Sequence, residues 1–166
     1  MTPAEQVEQA LDQMKIPYQI VHHPVAETTA EADHYIEGID GVRTKTMFLT
    51  NKKKTTCYLL VMDDHQRLDF HQFQELTGAK RPKMASDELL AEKLGLAPGI
   101  VSIFGLLNNT DHDVQVYFDQ AILDEARMSF HPNINTSTIF VATADVLQFV
   151  KNLGYDYQVL TLEDED

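Results

Sequence analysis

The sequence has no tryptophan, a single cysteine and no apolar run long enough to cross a membrane. One cysteine excludes an intrachain disulfide framework and a cysteine-rich zinc site. Cys57, flanked by Thr56 and Tyr58 in an apolar run, reads as a core thiol. A membrane helix needs about 20 apolar residues, and the N-terminal Met1-Thr2-Pro3-Ala4-Glu5 has neither the basic start nor the apolar stretch of a signal peptide. The expected setting is therefore the reducing cytoplasm, without a membrane partner. Standard catalytic signatures are also missing: no P-loop, no dinucleotide-binding glycine pattern, no nucleophile elbow and no zinc-protease His-Glu-x-x-His.

Positive charge is scarce as well. The 166 residues carry 13 Lys and Arg against 26 Asp and Glu, a net charge of −13, which argues against general nucleic-acid binding because phosphate attraction dominates that affinity. The cations are not spread evenly. Ten of the 13 lie between Arg43 and Lys93, a segment with seven acids and so a net charge of +3. A local basic face on an acidic body suits contact with one end of an RNA. The C-terminal Glu163-Asp164-Glu165-Asp166 is expected to be a solvated acidic tail starting at about residue 162.

What is present is a succession of short periodic segments. Thr2-Pro3-Ala4-Glu5 has the residues of a capping box with proline at the first helical position, and Val7, Ala10, Leu11 and Met14 follow at helical spacing. Thr28 to Glu31 marks a second helix start, reaching about Ile36. Tyr18–His22, Lys45–Thr50, Thr56–Met62, Arg67–Asp69, Ile100–Phe104, Val114–Phe118, Thr138–Ala142 and Tyr157–Leu160 read as strands, with a hairpin turn at Asn51–Lys54. His71–Thr77, stopped by Gly78, the Ser86-capped segment stopped by Gly95, and Asp145–Leu153 read as helices. Strands in hairpin-like neighbourhoods with few helices between them predict one α+β domain over residues 1–166, with a mixed, curved β-sheet flanked by helices.

Three segments are candidates for chemistry. Lys45 opens an apolar strand, where a lysine can set its charge at a pocket rim while its stem packs inside; a solvated strand end is the plainer alternative. Leu94-Gly95-Leu96-Ala97-Pro98-Gly99 followed by Val101-Ser102-Ile103-Phe104-Gly105 brackets an apolar run with glycine turns, which allow close approach to backbone groups or are ordinary turns. Phe130-His131-Pro132-Asn133-Ile134-Asn135-Thr136 holds a histidine before a proline, biased toward extended geometry; a polar loop is the alternative. His22 and His23 are adjacent, so on a strand their rings point to opposite faces. His65 and His71, near Asp63, Asp64 and Asp69, lack a spacing that builds a coordination shell. No metal and no cofactor are expected.

Together, in this order, Arg43-Thr44-Lys45-Thr46-Met47-Phe48-Leu49, the Leu94–Leu106 segment and Phe130–Thr136 resemble the YbaK family, the prolyl-tRNA synthetase-associated editing domains, over nearly the whole chain. The third motif is similar to that of the free-standing deacylases related to the alanine-specific editor. The resemblance implies an α+β editing domain that hydrolyses, without a metal, the ester between an amino acid and the terminal adenosine of mischarged proline tRNA, most simply alanyl-tRNA(Pro). It implies catalytic roles for Lys45, Thr46, Gly99, Ser102 and His131, and substrate contacts from Arg43, Phe48, Gly95, Pro98, Gly105, Ile134, Asn135 and Thr136. Lys45 matches the family's key lysine, which anchors the terminal phosphate or the aminoacyl end. His131 matches a histidine that shapes a pocket for a small side chain, with Ile134 and Phe48 as further walls. Relatives usually carry Asn where Thr46 stands, His where Arg43 stands and Pro where Ile103 stands; Thr46 keeps a hydroxyl on a shorter side chain. The implied partner is the acceptor end of mischarged tRNA, with prolyl-tRNA synthetase or an elongation factor as a helper for so acidic a protein. A deacylase for cysteine or serine, or a non-catalytic sensor of amino acids or charged tRNA, are the alternatives.

Overall fold

The computed structural model describes residues 1–26 and 28–163. Helix α1 (Pro3–Gln13) starts as the sequence predicts: Thr2 Oγ1 accepts from Glu5 N–H, and Thr2 N–H donates to Glu5 Oε1, both at 3.1 Å. Strand β1 (Gln19–His22) follows, then α2 (Thr29–Tyr35), whose cap Thr28 accepts from Glu31 N–H. Strands β2 (Val42–Thr50) and β3 (Cys57–Asp63) form the expected hairpin. In its turn, Asn51 Oδ1 accepts from Thr55 and Thr56 N–H, and Lys54 takes φ 59°. Helix α3 (Phe70–Thr77), the short strand β4 (Lys83–Met84) and α4 (Asp87–Leu94) come next, then a 3₁₀ helix (Ile103–Asn108). Strand β5 (Val114–Asp119), α5 (Gln120–Leu123), β6 (Arg127–Phe130), β7 (Ser137–Ala142), α6 (Thr143–Asn152) and β8 (Tyr157–Leu160) complete the order.

One mixed sheet of eight strands runs β1-β7-β6-β2-β3-β5-β8, with β4 paired to β2. The β2–β6, β3–β5 and β5–β8 pairs are parallel and the others antiparallel. Strand β3 is apolar on both faces because both faces are covered. Cys57, Leu59 and Val61 enter a large core with Val7, Leu11, Leu90, Phe104, Val146 and Phe149. Tyr58, Leu60 and Met62 enter a smaller one with Leu49, Phe73 and Tyr117. Among the described residues no helix is long and apolar enough to cross a membrane.

Three expectations are corrected, and two strands are added. Ile100–Phe104 is not a strand: Ser102 caps a 3₁₀ helix, its Oγ accepting from Phe104 N–H at 3.1 Å. Arg67–Asp69 is not a strand either, because Asp69 caps α3 by accepting from His71 and Gln72 N–H. Strands β4 and β6 occupy stretches that show no strand signal in the sequence. Finally, Leu162 does not begin a solvated tail: it is buried in the smaller core, and its N–H donates to buried Asp119 Oδ1 at 3.0 Å. Residues 164–166 of the expected tail lie outside the described residues.

Phe104 is 1% exposed and makes edge-on contacts with Phe130 and Phe149 at centroid distances of 5.6 and 5.2 Å. Phe104→Ala is expected to cost about 3–5 kcal/mol of stability, measured as a lower urea midpoint at unchanged m-value.

Candidate active site

Strand β2 shares one edge between two neighbours. The Asp64 N–H to Arg43 O bond at 2.9 Å sets the phase of the β2–β3 ladder. Odd-numbered residues of β2 bond to β3, so the backbone groups of Thr44, Thr46 and Phe48 face the opposite edge. There, Val42 and Arg43 are in register with Met128 and Ser129 of β6, whereas Phe48 O accepts from Ala85 N–H beyond β4. Between these two contacts the edge is open at Thr46, and a cleft of about 530 Å³ occupies the gap.

Thr44, Lys45 and Thr46 form the floor of this cleft. Ala26, Thr28 and Ala32 line one side from α2 and the segment before it. Met84, the turn Pro98–Val101, the pair Phe130–His131 and Asn135 supply the remaining walls, and Asp64, just past β3, closes the set. Burial pulls the Lys45 ammonium below its usual pKa, while the carboxylates of Asp64 and Asp63 pull it back up. Burial also lowers the His131 pKa, opposed by the carbonyl of Ser137, which lies 3.2 Å from Nδ1. Only a protonated nitrogen can meet a carbonyl oxygen, so Nδ1 carries the hydrogen and Nε2 is left as an acceptor. Gly99 takes φ 86°, a left-handed conformation that favours glycine, and places the turn's backbone against the cleft.

Six of the sequence-derived candidates thus meet here: Lys45, Thr46, Pro98, Gly99, His131 and Asn135. Seven do not line the cleft. Ser102 is 1% exposed, donating to Asn133 Oδ1 at 2.9 Å as it caps the 3₁₀ helix. Phe48 is in the large core, and Gly95 ends α4 at φ 63° against Asn108. Gly105 sits in the 3₁₀ helix, where an added Cβ would come within 2.8 Å of Leu96 Cδ1. Arg43 donates to the carbonyls of Ile36, Ile39 and Gly41, which ties α2 to β2. Ile134 is half-buried and Thr136 exposed, its carbonyl accepting from His23 N–H.

Sequence reasoning missed two residues that matter. Asn133, at φ 61°, donates from Nδ2 to Phe104 O and accepts from Ser102, joining the His131 loop to the start of the 3₁₀ helix. The residue type itself is a signal, since Asn is among the few side chains that tolerate this backbone region. Asp64 has no such signal, because its burial comes from α2 folding across the end of β3. Asp33, Asp64 and His65 approach one another, but as an ion-pair cluster with Arg43: His65 Nδ1 is 2.7 Å from Asp64 Oδ1, and Arg43 Nε is 4.0 Å from Asp33 Oδ1. His71 is elsewhere, paired with Glu75.

A basic rim adjoins the cleft. Lys52, Lys53 and Lys54 of the β2–β3 turn and Lys80, Arg81 and Lys83 before and within β4 are all exposed. The two loops are tied by Lys52 N–H donating to Lys80 O at 3.1 Å. Among the described residues none of the six cations forms an ion pair. Met84, next to Lys83, lines the cleft itself.

The model of the aminoacyl-tRNA editing domain matches residues 22–149, which include every cleft residue. The chain belongs to that family. It is 32% identical to the prolyl-tRNA editing protein ProX of Acetoanaerobium sticklandii, over 92% of this chain and 93% of that protein. It is 28% identical to prolyl-tRNA synthetase associated domain-containing protein 1 of Bos taurus, over 95% of this chain and 94% of the other. A crystal structure assigned as a candidate trans-editing enzyme for prolyl tRNA synthetase superposes with TM-score 0.77 at 20% identity, covering 99% of each chain. Hypothetical protein APE2540 superposes with TM-score 0.74 at 17% identity, over 93% of this chain and 97% of its own. The last two likenesses establish the fold, and the family establishes an aminoacyl-tRNA editing enzyme, a deacylase.

Asn133→Ala orphans buried hydrogen-bond partners and puts a β-carbon side chain without local hydrogen bonds in the left-handed region. Stability is expected to fall by about 1–3 kcal/mol from the lost bonds, with a further 1–2 kcal/mol or so from the backbone. Asn133→Gly should recover only the backbone part, and urea unfolding of both variants separates the two contributions.

Proposed function

We propose that the cleft receives the 3′-terminal adenosine of mischarged proline tRNA and hydrolyses its aminoacyl ester, with alanine as the amino acid removed. The observation that carries this reading is the half-buried Lys45 beside an unpaired strand edge, inside a cleft of about 530 Å³, within the range of about 300–1,000 Å³ usual for small-ligand sites. The editing activities for which the ProX relative and the trans-editing structure are named point the same way.

The ester is already an activated acyl group, so a water can serve as nucleophile. What the protein supplies is position and preorganised donors for the oxyanion. Thr46 N–H, directed at the open edge, is the first such donor, and the backbone of Gly99 to Val101 faces it across the cleft. The Lys45 ammonium anchors phosphate as a point charge. His131, with a neutral ring and no hydrogen bond to Nε2 among the described residues, stands with Phe130, Ile100 and Val101 around the amino-acid end. These replace Phe48 and Ile134, expected from the sequence, as walls of the selecting pocket. A synthetase pocket built for proline rejects the smaller alanine by only about 1–3 kcal/mol per missing methylene. A second pocket too small for proline removes alanine and spares the correct product. The acceptor stem then lies along the basic rim from Lys52 to Lys83, in the cytoplasm, where prolyl-tRNA synthetase or an elongation factor can deliver it.

Release of amino acid from proline tRNA charged with alanine, serine, cysteine or proline tests the reading. Alanine is expected to be released fast and proline not at all. Lys45→Ala should lower kcat/KM about 10- to 100-fold, the equivalent of one charge-assisted hydrogen bond of about 1.5–3 kcal/mol. Release of serine or cysteine instead would reassign the amino acid, and release of none would leave the sensor alternative. Replacing Lys52, Lys53 and Lys54 by Gln should raise KM and flatten its salt dependence by roughly 0.7–0.9 log units per decade of salt for each phosphate that is no longer neutralised.

A further inference from the structure

Asp64 lies in the cleft beside Lys45 without a role in anchoring or size selection. Its side chain is 16% exposed, and Oδ1, itself shielded from solvent, has no hydrogen-bond partner among the described residues. Oδ1 is 2.7 Å from His65 Nδ1, yet the approach lacks hydrogen-bond alignment, so the contact is one of charge alone. A buried carboxylate normally gathers two or three donors. This one lines the cleft, and no donor is aligned on its Oδ1 among the described residues.

We infer that Asp64 is the general base of the ester hydrolysis, taking a proton from the attacking water. The inference rests on the hydrolysis reading above. In the first step a water O–H bond breaks, its proton passes to the Asp64 carboxylate, and the water oxygen bonds to the ester carbon while the carbonyl π pair moves onto oxygen. The oxyanion faces Thr46 N–H. In the second step the C=O bond re-forms and the bond from carbon to the ribose oxygen breaks. The Asp64 proton passes to that oxygen. One water is consumed, a free amino acid and a tRNA with its terminal hydroxyl leave, and Asp64 is again a carboxylate.

The charges around Asp64 suit this work. Burial raises its pKa, the positive charge of His65 lowers it, Asp33 from α2 and Asp63 from β3 raise it, and Arg43 from β2 lowers it, with the result at about 6. Lys45 and His131 line the same cleft from β2 and from the end of β6. A base of this strength is ionised at neutral pH and still takes a proton readily. His65 itself is raised, first by the charge of Asp64, so the imidazolium and the carboxylate support one another.

The experiment is the pH dependence of single-turnover release from the mischarged tRNA that the wild-type protein hydrolyses. If the wild type releases no amino acid from any tRNA, the hydrolysis reading fails and the inference with it. With an active wild type, the rate should rise with slope one up to about pH 6 and then level, since the base works only when deprotonated. Asp64→Asn should lower kcat about 10²- to 10⁴-fold at little change in KM and abolish that limb. Asp64→Glu should restore part of both. His65→Gln, a change outside the cleft, should move the limb to higher pH by removing the positive charge that holds Asp64 ionised. Asp64→Asn within tenfold of wild type, a loss confined to KM, or a limb that stays or vanishes in His65→Gln would each overturn the assignment while leaving the deacylase intact. Should Asp64→Asn fail to melt cooperatively, the His65→Gln profile alone decides.

Discussion

Everything at the site depends on one strand edge divided between two partners. The parallel contact of β2 with β6 ends at Arg43 and Ser129, and the antiparallel contact with β4 begins at Leu49 and Met84. An interior strand normally spends all its backbone groups on its neighbours. Here the stretch around Thr46 cannot, because β6 and β4 leave its edge from opposite ends. The cleft is therefore a gap in the hydrogen-bond ladder itself. Its floor is as rigid as the sheet, since β2 remains paired along its other edge to β3 from Thr44 to Thr50.

The walls are held to this floor by few but well-buried links. Asn133 fastens the His131 loop to the 3₁₀ helix through Ser102 and Phe104, and Arg43 fastens the segment that follows α2 through the carbonyls of Ile36 and Ile39. Thr44 Oγ1 donates to Ser129 O at 2.6 Å where β6 departs. These links stand behind the residues that line the cleft, yet they set the distance between its opposite sides. A catalyst that works by positioning needs such supports, because a misplacement of about 1 Å can cost 10²-fold in rate.

Local patterns in the sequence are legible where the physics is local. Capping residues Thr2, Thr28 and Ser86 and the left-handed stops Gly78 and Gly95 mark helix ends correctly, because each acts within a few residues. The run Ile100–Phe104 misleads because an apolar stretch of that length is the same in a buried strand and a buried 3₁₀ helix; the Ser102 cap and a partner 31 residues away decide it. Strand β6 hides in Arg127-Met128-Ser129-Phe130, four residues too few for alternation to show. At the site, Lys45, Pro98, Gly99 and His131 can be found from motifs, whereas Asp64 looks like any carboxylate in a turn until α2 is folded over it. Ser102 errs the other way, a polar residue between glycines that the fold spends on a cap.

The exposed lysines and arginine of the rim have a consequence for time as well as place. A body of net charge −13 repels a nucleic-acid backbone over most of its surface, so productive encounters are funnelled through one orientation. The same repulsion acts on the complex once formed, and differences in affinity express themselves mainly in the dissociation rate. With the cleft as the proposed seat of the terminal group, visits by any RNA would be brief unless that group enters, and a molecule whose amino acid is too large to enter would depart before anything happens to it.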